Sequence, residues 1–164
     1  MSVQGVSNTV ADPVRAQLDQ ALVLQALRRD WGWTGVDFAE ILAISPMGHL
    51  VLADKAGELH YLDPDLRQLL RLGSEEAARQ FLDDPEVRLV WRAAKLVEAA
   101  RERLGPTAPG EVYSLETNAM LRGDYAPENL VRMELAQLVS ITGQVAYQTR
   151  DLPDGASFQL KASD

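Results

Sequence analysis

The chain contains no cysteine in its 164 residues. That absence excludes a disulfide framework, thiol catalysis and thiolate-bound zinc together. Lysine is scarce as well, standing only at 55, 95 and 161, so nearly all of the 16 cationic side chains are arginine. Histidine occurs only as His49 and His60. No run of about 18 apolar residues is present to span a membrane. The opening MSVQGVSNTV has neither a basic n-region nor an apolar h-region, so no secretory signal is expected and the reading is cytoplasmic. A G-x-S-x-G nucleophile elbow and a phosphate-binding glycine loop are both missing.

The composition that remains is that of a soluble globular protein, 46% hydrophobic and 24% charged. The length suits one domain that folds alone. A net charge of −8 disfavours nucleic acid, whose affinity for proteins comes from clustered Lys and Arg. Acidity favours a basic partner instead, through electrostatic steering, although it also serves solubility alone.

Along the chain, residues 1–11 read as a polar lead-in, 12–161 as a single α+β domain and 162–164 as a tail. Asp12-Pro13 supplies a cap and a first-turn proline for a helix over 13–29, with Val14, Leu18, Ala21, Leu22 and Ala26 on one face. Apolar runs 41–45, 49–53 and 58–62 are separated by Pro46-Met47-Gly48 and Asp54-Lys55-Ala56-Gly57, which predicts a three-stranded antiparallel meander. Asp63-Pro64 repeats the cap-and-proline device and predicts a short helix through Leu70 ending at Gly73. Ser74 caps another over 75–83. From Asp84-Pro85 one continuous apolar stripe, Val87 to Leu104, predicts a single helix stopping at Gly105-Pro106. A strand over 112–116, a helix over 133–152 and a last strand over 157–161 complete the reading: helices packed on an antiparallel sheet. Gly143 inside the last helix costs about 1 kcal/mol against alanine, so another element is expected to approach it closely.

Arg122-Gly123-Asp124 spells an adhesion tripeptide, but without a signal or disulfides display to an extracellular receptor is not expected. A turn is the simpler reading. The surrounding RGDYAPENLVRMELAQLVSITGQVAYQTRDLPDG resembles the C-terminal domain of bacterial type VI secretion immunity proteins that neutralise secreted DNase toxins. The matching positions are Gly123, Tyr125, Glu128, Asn129, Gly143, Gln148, Leu152, Pro153, Asp154 and Gly155. The family often has a second glycine where Arg122 stands. Physically these residues are structural: Gly123 and Gly155 suit turns of positive φ, and Asn129 suits a local hydrogen-bonded turn.

The resemblance implies a non-enzymatic protein without cofactor that docks on a cognate secreted toxin and occludes its active site. Candidate contacts for a basic toxin surface are Asp37, Asp83, Asp84 and Glu86, with Trp31 and Trp33 as apolar anchors. Asp83, Asp84 and Glu86, like Asp63 and Asp65, also fit helix starts, where they stabilise the positive dipole end. Either tryptophan also suits packing between the first helix and the meander. A metal site would need His49 and His60 on one face with Asp54 or Glu58 nearby, and two histidines are thin material for it, so no metal is expected. A second class of function is a small-ligand or regulatory module with a pocket beneath the meander. A hydrolase using His49 or His60 is a third.

Overall fold

The computed structural model describes residues 19–115 and 126–152. The chain folds into an α+β domain with a four-stranded and a two-stranded antiparallel sheet. Helix α1 (Gln20–Asp30) starts where the Asp19 carboxylate accepts hydrogen bonds from the N–H groups of Ala21 and Leu22, and Arg28 and Arg29 occupy its last turn. The expected beginning of this helix at residue 13 lies outside the described residues. A 3₁₀ turn, Gly32–Thr34, leads to β1 (Phe38–Ile44), β2 (Leu50–Asp54), β3 (Leu59–Asp63) and β4 (Gln68–Gly73), in sheet order β1-β2-β3-β4. Both expected hairpin turns are present, with Gly48 and Gly57 at φ of 85° and 86°.

The fourth strand corrects the expected 64–70 helix. Asp63 does act as a cap, but on a turn: its Oδ1 accepts from the N–H groups of Asp65 and Leu66 at 2.9 and 3.0 Å. Arg67 then takes a left-handed conformation, φ 52°, which stops helix propagation and returns the chain antiparallel to β3. The meander therefore has four strands.

Helix α2 (Glu75–Asp83) is capped by the Ser74 hydroxyl. The long helix expected from Pro85 to Leu104 is divided at Ala93, φ 42°, into α3 (Pro85–Arg92) and α4 (Ala94–Leu104). Apolar periodicity ran through the break because helical spacing resumes at once after the single left-handed residue. Strands β5 (Glu111–Leu115) and β6 (Leu130–Glu134) form the second sheet, and α5 (Leu135–Thr149) follows β6 directly. The expected strand at 157–161 lies outside the described residues, as do Gly123, Tyr125, Pro153, Asp154 and Gly155. Among the described residues, no helix is long and apolar enough to cross a membrane.

Alternation along the strands gives the large sheet two apolar faces. On one, Ile41, Leu50, Leu52 and Leu62 pack against Val23 and Leu27 of α1 and Leu135, Leu138 and Val139 of α5. On the other, Leu42, Val51, Leu59 and Tyr61 pack against Ala78, Phe81 and Leu82 of α2 and Trp91 of α3. A third cluster joins Met47 of the first hairpin turn to Tyr113, Leu115 and Leu130 of the small sheet and Ala100 of α4. Where these layers meet, the first hairpin turn, the turn after β3 and the α3–α4 junction surround a cavity.

Candidate functional site

The cavity holds about 600 Å³, and its wall is largely apolar, with Met47, Leu66, Leu89 and Leu96 among the lining side chains. His49, Asp63 and Asp65 line it too, and Lys95 is the lysine on its wall. A concave apolar space with a few converging polar groups is the usual form of a binding site.

Strand pairing explains the convergence. Leu50 is paired with Leu62 and Leu52 with His60, so the next step outward sets His49 beside Asp63 on the face that carries Tyr61. The imidazole of His49 lies 5.9 Å from the Tyr61 ring, centroid to centroid. Asp65 joins from the turn that Asp63 caps. His49 Nε2 is 3.4 Å from Asp63 Oδ1 and 3.8 Å from Asp65 Oδ2. At 3.4 Å this is an electrostatic approach without hydrogen-bond direction, and Nε2 remains without a hydrogen-bond partner although His49 is 1% exposed. On the other side of the ring, Nδ1 is 3.2 Å from Ser45 Oγ, which accepts the His49 backbone N–H at 2.9 Å.

The two carboxyls titrate apart. Burial pushes Asp65 up to about 6; the His49 imidazole works against that shift and the charge of Asp63 adds to it. Burial also acts to raise Asp63, but the adjacent His49 and the N–H groups of Leu66 and Asp65 outweigh it and hold Asp63 below its ordinary value. Tyr61 is driven well above the usual phenol range by burial and by the charges of Asp63 and Asp65.

His60 lies on the opposite face, with Leu52 and Leu62. Its Nε2 is 2.9 Å from Asp54 Oδ2, an ordinary histidine–carboxylate bond inside the second hairpin. The two histidines therefore do not share the single site that a common metal centre required. Glu58 is engaged elsewhere, in a two-point ion pair with Arg71 across the β3–β4 edge.

The residues put forward as toxin contacts divide. Trp31 is 1% exposed and its Nε1–H donates to the Val139 carbonyl at 3.0 Å, so it is a core side chain and not a surface anchor. Trp33 is 40% exposed, stacked on Trp31 and edge-on to Tyr147. Asp37 is exposed and pairs with Lys55 at 3.5 Å. Asp83, Asp84 and Glu86 sit together at the α2–α3 junction. Asp84 caps α3 by accepting the Glu86 N–H at 2.8 Å, and Asp83 pairs with Arg88 at 2.6 Å. Close by on α3, Leu89 and Val90 are 73% and 49% exposed, an apolar pair that sequence periodicity had assigned partly to the buried stripe.

The α2–α5 region has a relative. The family model of the T6SS immunity protein Tdi1, C-terminal, matches residues 76–146. This bears out the immunity-family resemblance over that segment, which takes in the acidic junction and most of the cavity wall. His49, Asp63 and Asp65 precede the matched segment. No curated protein matches the chain. Among solved structures, the chain is similar to the crystal structure of Atu4351 from Agrobacterium tumefaciens, at 14% identity and a TM-score of 0.51 over 77% of this chain. The match spans 64% of that chain's length, and at this identity the likeness concerns the fold alone.

Proposed function

We propose that the protein is an immunity protein that binds a cognate secreted antibacterial toxin in the cytoplasm and blocks its active site, without catalysis of its own. The observation that carries this reading is the immunity-family match over 76–146. The surface chemistry supports a docking face on α3: an acidic cluster of Asp83, Asp84 and Glu86 for steering, next to exposed Leu89 and Val90 for desolvated contact. A toxin that acts on nucleic acid presents a basic surface, which this face complements. Trp33 and Asp37, both exposed and just after the C-terminal end of α1, are further candidate contacts. The test is co-purification with a secreted toxin followed by an activity titration, in which toxin activity falls to zero near equimolar addition.

The cavity favours one further reading, a small-ligand or regulatory module. A ligand that binds the folded state raises the melting temperature, so a thermal-shift screen separates the two.

A further inference from the structure

We propose that His49, Asp63 and Asp65 form a binding site for one divalent transition-metal cation, set in the wall of the cavity. One donor atom from each residue lies within 4.8 Å of the others. Donors bonded at about 2.0–2.2 Å to one tetrahedral cation stand about 3.3–3.5 Å apart. The His49–Asp63 separation of 3.4 Å already meets that spacing, and Asp65 at 3.8 Å needs only a slight carboxylate rotation.

The unpartnered Nε2 of His49 is the second, independent sign. A buried imidazole nitrogen left without a hydrogen bond has lost its water for nothing in return, and a cation satisfies it. His60 shows what a plain histidine–carboxylate bond looks like in this same sheet, at 2.9 Å and properly directed. His49 instead stands off from both carboxylates, as ligands of a shared ion do. In the tautomer that carries its proton on Nδ1, the 3.2 Å contact with Ser45 Oγ leaves the Nε2 lone pair facing them, the outer-shell arrangement that orients metal-bound histidines. The charge balance agrees, because two carboxylates line the cavity and Lys95 on its wall pairs with neither among the described contacts.

One imidazole and two carboxylates suit Zn²⁺, Mn²⁺ or Fe²⁺ better than Ca²⁺, which takes six to eight oxygens. With three protein donors the remaining coordination positions open into the cavity. The site does not depend on the immunity reading, since the isolated chain suffices to bind the ion.

The test is calorimetric titration of the chelator-dialysed full chain with Zn²⁺, Mn²⁺ and Ca²⁺, with melting temperatures measured in parallel. The expected result is one Zn²⁺ or Mn²⁺ per chain, with a raised melting temperature and little response to Ca²⁺. Asp65→Asn should weaken binding roughly tenfold or more while His60→Ala leaves it unchanged. Co²⁺ substitution should give a visible d–d band that Asp65→Asn abolishes, which reports the ligand set even where His49→Ala fails to fold. Absence of binding to the unaltered chain overturns the proposal. So does binding that survives unchanged in both Asp63→Asn and Asp65→Asn, which would place the ion elsewhere.

Discussion

Gly143 and Trp31 meet so closely that a Cβ on the glycine would lie 2.8 Å from the indole ring, and 2.6 Å from the carbonyl oxygen of Asp30. The sequence alone marked Gly143 as a place of close approach; the structure supplies α1 as the approaching element. The indole is held there by its bond to the Val139 carbonyl, one turn before Gly143 on α5. Gly143→Ala gains helix propensity but must force α1 and α5 apart. The expected net loss is about 1–3 kcal/mol, read from urea unfolding with the slope unchanged.

Ala93 presents the opposite case. Its left-handed φ of 42° divides α3 from α4, and an L-residue there costs about 1–2 kcal/mol. Glycine relieves that strain at the expense of a more flexible unfolded chain. Ala93→Gly is expected to raise stability by about 0.5–1 kcal/mol, where the same change in a helix interior would lower it. Urea midpoints of this variant and of Ala99→Gly, inside α4, make the comparison.

Asp65 gives a pH signature in the presence of chelator. Its folded value of about 6 lies above the ordinary 3.8, so the stability contributed by its protonated form is complete below 3.8 and lost as pH rises through about 6. Asp65→Asn removes this loss. The variant should therefore be more stable than the parent near pH 8 by on the order of 2 kcal/mol and close to it near pH 4, even as it loses its response to Zn²⁺. A variant destabilised near pH 8 would mark Asp65 as a structural residue and not a strained ligand.

The acidic face predicts a kinetic effect. Reversing charge at Asp83, Asp84 and Glu86 should slow toxin association about tenfold or more at low salt and flatten its salt dependence, with dissociation less affected. Leu89→Asp acts on the other quantity, since loss of a desolvated apolar contact shows mainly in the dissociation rate. Unchanged kinetics in both variants would move the interface away from α3.

Much of this architecture was legible because local chemistry decides it. The hairpin glycines 48 and 57, the Ser74 and Asp84 caps and the amphipathic α5 each carry their own signal. Strand β4 did not, since QLLRLG reads as helix or strand equally and only Arg67's left-handed turn commits it. The break at Ala93 left no mark because alanine is the strongest helix former. The site could have been found by counting: pairs taken outward from the Asp54–Gly57 turn set His49 opposite Asp63 and His60 opposite Leu52. The same count puts His49 and His60 on opposite faces, so the one-face condition for a metal centre shared by the two histidines is not met. Trp31 and Trp33 illustrate the other limit, since both meet α5 but only Trp31 is buried against it, with its indole N–H bonded to the Val139 carbonyl.

The central claim is neutralisation of a toxin, and the most direct measurement is an activity titration of the secreted toxin that co-purifies with the tagged full chain from its native host. The account predicts a stoichiometric complex, with toxin activity falling linearly to zero near one equivalent of added protein. A co-purified toxin whose activity persists at saturating protein, or a chain that elutes without a toxin while the secretion system is expressed, would contradict it.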